Sequence, residues 1–275
     1  MWDNTARSRG HGGVSCSRNL DYLMSEPTVH LLGPFHVPGL SARHVRVYVP
    51  PRRAPMKPPV LYLFDGQNLF HDEPSFVGGW HLHDVGARLA ARGERVPVIV
   101  GIDHGGHERI EELSPFPTRT GPGRLELLLD WMRGGLGPHI EHHFGVSTDP
   151  ADTGVGGSSM GGLAALYVHL RAPERFGLAM SMSPSLQIGS GAIFDWIDSH
   201  PRPRASRIYL DAGALEAGGG LLRAAERLAY KFVERGYDPH SLKFVAAKRG
   251  AHNEKNWRRR APGAIRFLFG RKWRR

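Results

Sequence analysis

A serine framed by glycines, with an extended run before it and an apolar helical pattern after it, is placed for chemistry. The stretch Gly157-Ser158-Ser159-Met160-Gly161 fits G-x-S-x-G in that strand-to-helix context. In this arrangement the central serine sits on a strained turn, and its neighbours must be small because strand and helix backbones come close. Ser159 is the candidate nucleophile. A helix starting at Met160 aims its positive end at the same point, so the Met160 N–H is a candidate donor to a developing oxyanion.

A serine hydroxyl attacks poorly unless a base takes its proton, and the base needs a partner that fixes its tautomer. The sequence supplies both downstream, in the order nucleophile, acid, base. The strand Arg207-Ile208-Tyr209-Leu210 opens into Asp211-Ala212-Gly213-Ala214-Leu215-Glu216, and a later strand opens into Lys248-Arg249-Gly250-Ala251-His252-Asn253. Of 16 histidines, His252 alone comes after the last strand on a glycine loop just before the last helix. Two carboxylates compete for the acid role: Asp211 at the strand end, and Glu216 deeper in the loop with a longer reach. Either could instead cap the helix that begins near Leu221.

The elements that position these groups alternate along the chain. Strands are expected at Thr28 to Leu32, His44 to Val49, Pro59 to Phe64, Val96 to Gly101, Thr153 to Gly156, Gly177 to Met182, Arg207 to Leu210 and Leu242 to Ala246. The continuous apolar runs among them suit strands covered on both faces. Helical periodicity fills Trp80 to Arg92, Arg124 to His143, Met160 to Leu170, Ala192 to Ser199, Leu221 to Arg235 and Glu254 to Phe269. The alternation predicts an α/β fold, with a mostly parallel sheet of about eight strands, helices on both faces and an antiparallel edge from the early strands. Residues 183–206 are too few for a large lid, so the cleft is expected to be open.

Composition is compatible with one domain. The chain has 275 residues, 40% of them hydrophobic and 23% charged, enough to bury a full core. Residues 1–27, rich in Gly, Ser and Arg without a period, are expected to be a mobile leader, and residues 28–275 a single domain. That leader lacks an apolar h-region, and no run of about 18 apolar residues occurs, so a cytoplasmic location and no membrane partner are expected. The single cysteine, Cys16, excludes an internal disulfide and makes a thiol nucleophile a poor alternative. Net charge is +10, with clusters at Trp257-Arg258-Arg259-Arg260 and Arg271-Lys272-Trp273-Arg274-Arg275. The first fits the solvated face of a periodic helix, and no nucleic-acid motif accompanies either, so no nucleic-acid partner is expected. His139, His142 and His143 share one helix face but match no metalloprotease pattern, and His81 and His83, beside Trp80, read as a helix-start cluster; neither a metal nor a cofactor is expected. No G-x-x-x-x-G-K phosphate cradle occurs, which disfavours nucleotide hydrolysis.

By these residues the chain resembles the putative-esterase family of α/β-hydrolases, which includes enterochelin esterases, feruloyl esterases and S-formylglutathione hydrolases. The resemblance rests on Leu63-Phe64-Asp65-Gly66-Gln67-Asn68-Leu69-Phe70, Val98 to Asp103, Arg109 to Pro115, Gly156 to Gly162, Met182-Ser183-Pro184-Ser185, Tyr209 to Glu216 and His252 to Trp257. It covers residues 40–270, nearly the whole fold. It implies an α/β-hydrolase fold and a serine carboxylic-ester hydrolase working through an acyl-enzyme on a small-molecule ester. The family's acid stands at the last position of a pattern like G-T-x-E or G-x-x-D. This favours Glu216 over Asp211, although Ala214 departs from the common threonine. The family's second oxyanion donor falls on the Gln67 N–H. Arg109 and Glu112 match its R-x-x-E loop near the active-site mouth, as substrate contacts or as an ion pair ordering the loop, and Trp80 joins them as a candidate substrate contact. Two rival functions remain on the same fold: an acyltransferase, in which an alcohol resolves the acyl-enzyme, and a non-catalytic binding module.

Overall fold

The computed structural model describes residues 28–51, 56–75 and 78–270. The expected leader with Cys16 and the basic cluster 271–275 lie outside the described residues. Eight strands form one sheet: β1 (Thr28–Val37), β2 (Leu40–Val49), β3 (Val60–Phe64), β4 (Val98–Ile102), β5 (Thr153–Ser158), β6 (Leu178–Met182), β7 (Arg207–Gly213) and β8 (Leu242–Ala247). Their order is β1-β2-β4-β3-β5-β6-β7-β8. β1 and β2 pair antiparallel, as do β2 and β4, and the remaining pairs are parallel. The helices are α1 (Leu82–Ala91), α2 (Arg109–Glu112), α3 (Leu125–Trp131), α4 (Gly137–Phe144), α5 (Met160–Arg171), α6 (Ile193–Ser199), α7 (Gly220–Glu234) and α8 (Glu254–Phe269). This is an α/β-hydrolase fold. The β6–β7 connection contains α6 and no large lid.

The two-residue period of a strand sends alternate side chains to opposite faces, and here each face meets its own helices. Val60, Tyr62 and Phe64 of β3 join one core with Leu128 of α3, Ile140 of α4, Leu163 of α5 and Leu228 of α7. Leu61 and Leu63 join the other with Val85 of α1 and Ile265 of α8. Both faces are therefore dry, which is why β3 and β4 read as unbroken apolar runs. Burial of one such leucine contributes about 2 kcal/mol.

Two elements depart from the sequence expectation. The single helix expected over Arg124 to His143 carries a π-helical turn at Met132–Leu136, because Pro138 offers no N–H to the Gly134 carbonyl and two glycines there relax the ladder. β1 runs past Gly33-Pro34 to Val37 by shifting register against β2 between Leu32 and Phe35, where the sequence suggests a stop.

Candidate active site

Ser159 lies at the junction of β5 and α5, at the carboxyl end of the parallel strands. Its backbone sits at φ 56°, ψ −118°, a region costing a non-glycine residue on the order of 1–3 kcal/mol. The surroundings hold it there: Ser159 N–H donates to Met182 O at 3.0 Å, and Ser159 O accepts from Gly162, Leu163 and Ser185 N–H groups. A Cβ at Gly157 would come 2.8 Å from the Gly161 backbone. The Gly157 position therefore tolerates no side chain, which accounts for that glycine. Ser159 Oγ lies 3.2 Å from Ser185 Oγ.

The carboxyl ends of β7 and β8 carry the acid and base candidates. Glu216 is buried, and its Oε2 lies 3.1 Å from His252 Nδ1. Its Oε1 accepts from Ser183 Oγ at 2.8 Å and Gly213 N–H at 3.0 Å. The glutamate is thus fixed from both ends. Its loop and the histidine loop touch backbone to backbone: Leu215 N–H donates to Gly250 O at 3.1 Å, and a Cβ at Gly213 would overlap the Gly250 carbonyl. On its other side His252 is anchored by α8, which the Asn253 side chain caps by accepting from Asn256 N–H at 3.1 Å, an interaction of about 1 kcal/mol. The Trp257 ring stands edge-on to the imidazole at 5.0 Å. The His252 side chain is 38% exposed while that of Glu216 is 1% exposed, so the imidazole reaches solvent with its carboxylate sealed behind it. Among the described residues no hydrogen bond joins His252 to Ser159; such bonds commonly close only with substrate bound.

Asp211, the competing carboxylate, is directed elsewhere. Arg260 grips it at 2.8 and 3.1 Å, and it is fully buried. Burial pushes its carboxyl up to about 6 against the pull of Arg260. Asp211 and Arg260 form a buried brace beneath Ser183, whose hydroxyl also receives Trp257 Nε1 at 3.0 Å and an Arg260 nitrogen at 2.9 Å.

The turn after β3 packs on the start of α5, since a Cβ on Gly161 would lie 3.2 Å from Phe64 Cβ and 3.5 Å from Asp65 Oδ2. This brings Gln67 and Met160 to the same edge. Neither backbone N–H has a protein acceptor among the described residues; the Gln67 side chain is occupied separately, accepting from His104 N–H at 3.3 Å. Arg109 closes a two-point ion pair on Asp65 at 2.6 and 2.8 Å, tying α2 to this turn. Burial first, and then the neighbouring Asp65 carboxylate, raise the Glu254 carboxyl at the foot of α8 above its ordinary range.

Two expected substrate contacts require correction. Glu112 is fully buried, pairs with Arg43 at 2.9 Å and accepts from Gly105 N–H at 2.9 Å. It orders the loop from inside and does not pair with Arg109. Trp80 is 2% exposed, with its ring 5.7 Å from that of Trp257, so it supports the residue that supports His252 and presents no face to a substrate. Motif position brings a residue near a site but leaves its rotamer open. Sequence reasoning missed Ser183, Ser185 and Arg260 as members of the site. The two serines lie in the Met182-Ser183-Pro184-Ser185 stretch, and the arginine belongs to a basic cluster that reads from sequence as a solvated helix face. His139 and His143 stack at 4.0 Å on α4, where His139 meets Phe35 of the edge strand β1 at 5.2 Å.

Fold and elbow together define an α/β-hydrolase with a serine at its strand–helix turn, and comparison with known proteins narrows the class. Residues 41–268 match the family described as "Putative esterase". The chain belongs to that family and is a carboxylic-ester hydrolase by class. It is 24% identical over 249 residues to the Bacillus subtilis protein YbbA, covering 83% of this chain and 93% of that one. It is 30% identical over 262 residues to the iron(III) salmochelin esterase of Escherichia coli O6:H1, covering 88% of this chain but only 58% of that protein. Among solved structures, the enterobactin esterase of Shigella flexneri shares the fold with a TM-score of 0.67 at 21% identity, over 90% of this chain and 60% of that one. A ferulic acid esterase does so with a TM-score of 0.69 at 19% identity, over 89% and 99%. Among the described residues, no helix is long and apolar enough to cross a membrane.

Proposed function

We propose that the protein hydrolyses small-molecule carboxylic esters through an acyl-enzyme on Ser159, with His252 as general base and Glu216 as its orienting acid. The observation that carries the reading is the buried Glu216 carboxylate on His252 Nδ1, at the same sheet edge as a serine held at positive φ. Glu216 accepts from Nδ1–H and so leaves Nε2 with its lone pair available for the Ser159 proton. Ser159 Oγ attacks the ester carbonyl as His252 takes that proton. The carbonyl oxygen becomes an oxyanion, stabilised by the Met160 and Gln67 N–H groups. His252 then gives the proton to the departing alcohol, and water repeats the sequence in reverse.

Compact, polar esters suit the site better than long acyl chains, since the β6–β7 connection carries no large lid and the half-buried Arg109, paired to Asp65, stands beside the turn after β3. The likeness to a salmochelin esterase makes siderophore-type esters the first candidates. The test is pre-steady-state hydrolysis of p-nitrophenyl acetate. A burst of nitrophenolate equal to the enzyme concentration, ahead of slower turnover, is expected if acylation precedes a slower deacylation. Pairing the burst with Ser159→Ala distinguishes the serine from any other nucleophile, because an undiminished rate in that variant rejects the reading.

A further inference from the structure

We propose that His81, His83 and Asp84, at the start of α1, form a binding site for a divalent transition ion of the zinc class, with Asp72 as the residue that orients His81. One donor atom from each of the three lies within 4.8 Å of the others. Asp84 Oδ2 is 3.7 Å from His81 Nδ1, and Asp84 Oδ1 is 3.4 Å from His83 Nε2. A tetrahedral ion with donors at about 2.1 Å sets its ligand atoms about 3.4 Å apart. The two measured spacings, one to each oxygen of the Asp84 carboxylate, are therefore close to those of a filled site.

The surroundings favour ligation over a chance cluster. His81 Nε2 is engaged by Asp72 Oδ1 at 2.8 Å, which leaves Nδ1 as the ring's free lone pair on the Asp84 side. A carboxylate on the far nitrogen of an imidazole is the arrangement that fixes and strengthens a metal-bound histidine. Asp72 is itself held, accepting from Gly79 N–H at 2.9 Å. His81 sits in the left-handed region at φ 48°, an unusual conformation for a residue with a side chain. His83 presents Nε2 to the Asp84 side, and its Nδ1, on the opposite side of the ring, is buried with no hydrogen-bond partner among the described residues, so no protein group competes for the ring. Water would fill the fourth position, and the His71 ring lies beside that of His83 at 4.7 Å.

Two imidazoles and one carboxylate select Zn²⁺, Ni²⁺ or Cu²⁺, whereas Mg²⁺ and Ca²⁺ prefer all-oxygen sites. Binding would fasten the segment after β3 to the head of α1, next to Trp80 and, through it, Trp257. The ion is structural in this account and takes no part in the attack by Ser159.

The experiment is calorimetric titration of ZnCl₂ into untagged protein, with MgCl₂ as a control and the Co²⁺ absorption spectrum as a second readout. One zinc per chain is expected, with the visible absorption of a tetrahedral Co²⁺ site and no response to Mg²⁺. His81→Ala and His83→Ala should each weaken zinc by about tenfold or more, and Asp72→Asn by roughly 10–100-fold. The double variant His142→Ala/His143→Ala, on α4, should leave affinity unchanged. Absence of both the zinc heat and the cobalt band in wild-type protein would overturn the proposal without reference to any variant. So would zinc binding that survives His81→Ala and His83→Ala, or that vanishes with the α4 pair.

Discussion

Replacing Glu216 by Gln gives a sharp test because the structure dictates which way the new amide must point. Oε1 is pinned by two donors, the Ser183 hydroxyl and the Gly213 N–H. An amide at this position keeps its oxygen there and turns its NH₂ toward His252 Nδ1, which now receives a proton donor. The imidazole is forced to carry its own hydrogen on Nε2, facing Ser159, and can no longer accept the serine proton. Wrong-tautomer substitutions of this kind lower kcat by about 10⁴, or about 5 kcal/mol of transition-state stabilisation. Volume and the two pinned bonds are conserved, so Tm should change by only a few degrees. The assay is kcat for p-nitrophenyl acetate, with circular dichroism to verify the fold. A folded Glu216→Gln enzyme within about tenfold of wild type would refute the assignment of the acid.

Asp211→Asn should act on stability rather than chemistry. The buried carboxyl is raised from its ordinary 3.8 to about 6, so its protonated form is favoured by folding. That contribution is fully present below pH 3.8 and is lost as pH rises through about 6. Relative to the Asn variant, which has no such titration, wild type should therefore lose stability on the order of 3 kcal/mol between about pH 4 and 7 in urea melts; parallel curves contradict it. Gln67→Ala should reduce kcat less than about fivefold, because the donor is a backbone N–H that alanine retains; a loss of about 10²-fold or more would assign the oxyanion to the side-chain amide. Ser183→Ala strands the buried Trp257 N–H and frees Glu216 Oε1 of one donor, at a cost of about 1–3 kcal/mol in denaturant titrations, with kcat reduced about tenfold while KM holds. An unchanged midpoint would show that Ser183 carries no such bonds in solution.

The central strands were legible because burial on both faces leaves an unbroken apolar signature, β2 because it alternates, and the amphipathic helices because they leave a 3.6-residue period. α2, at Arg109–Glu112, is too short to show a period. The elbow was legible because close approach admits only glycine at 157, and the loops ending in Glu216 and His252 could be placed from the strand ends. What sequence could not carry is direction. Nothing in the order of Asp211 and Glu216 says that an arginine forty-nine positions later turns one away from the cleft. The burial of Glu112 depends on Arg43 of β2, and that of Trp80 on a tryptophan of the last helix. Ser183 became visible only when three partners converged on its hydroxyl.

The central claim is that Ser159 becomes covalently acylated, and intact-mass spectrometry measures that directly. Brief exposure to p-nitrophenyl acetate, then an acid quench, should add one acetyl group per chain, mapped to the peptide containing Ser159. In His252→Ala the adduct should form far more slowly, and in Ser159→Ala it should be absent. An acetyl group on another residue, or full ester turnover in Ser159→Ala protein, would contradict the account.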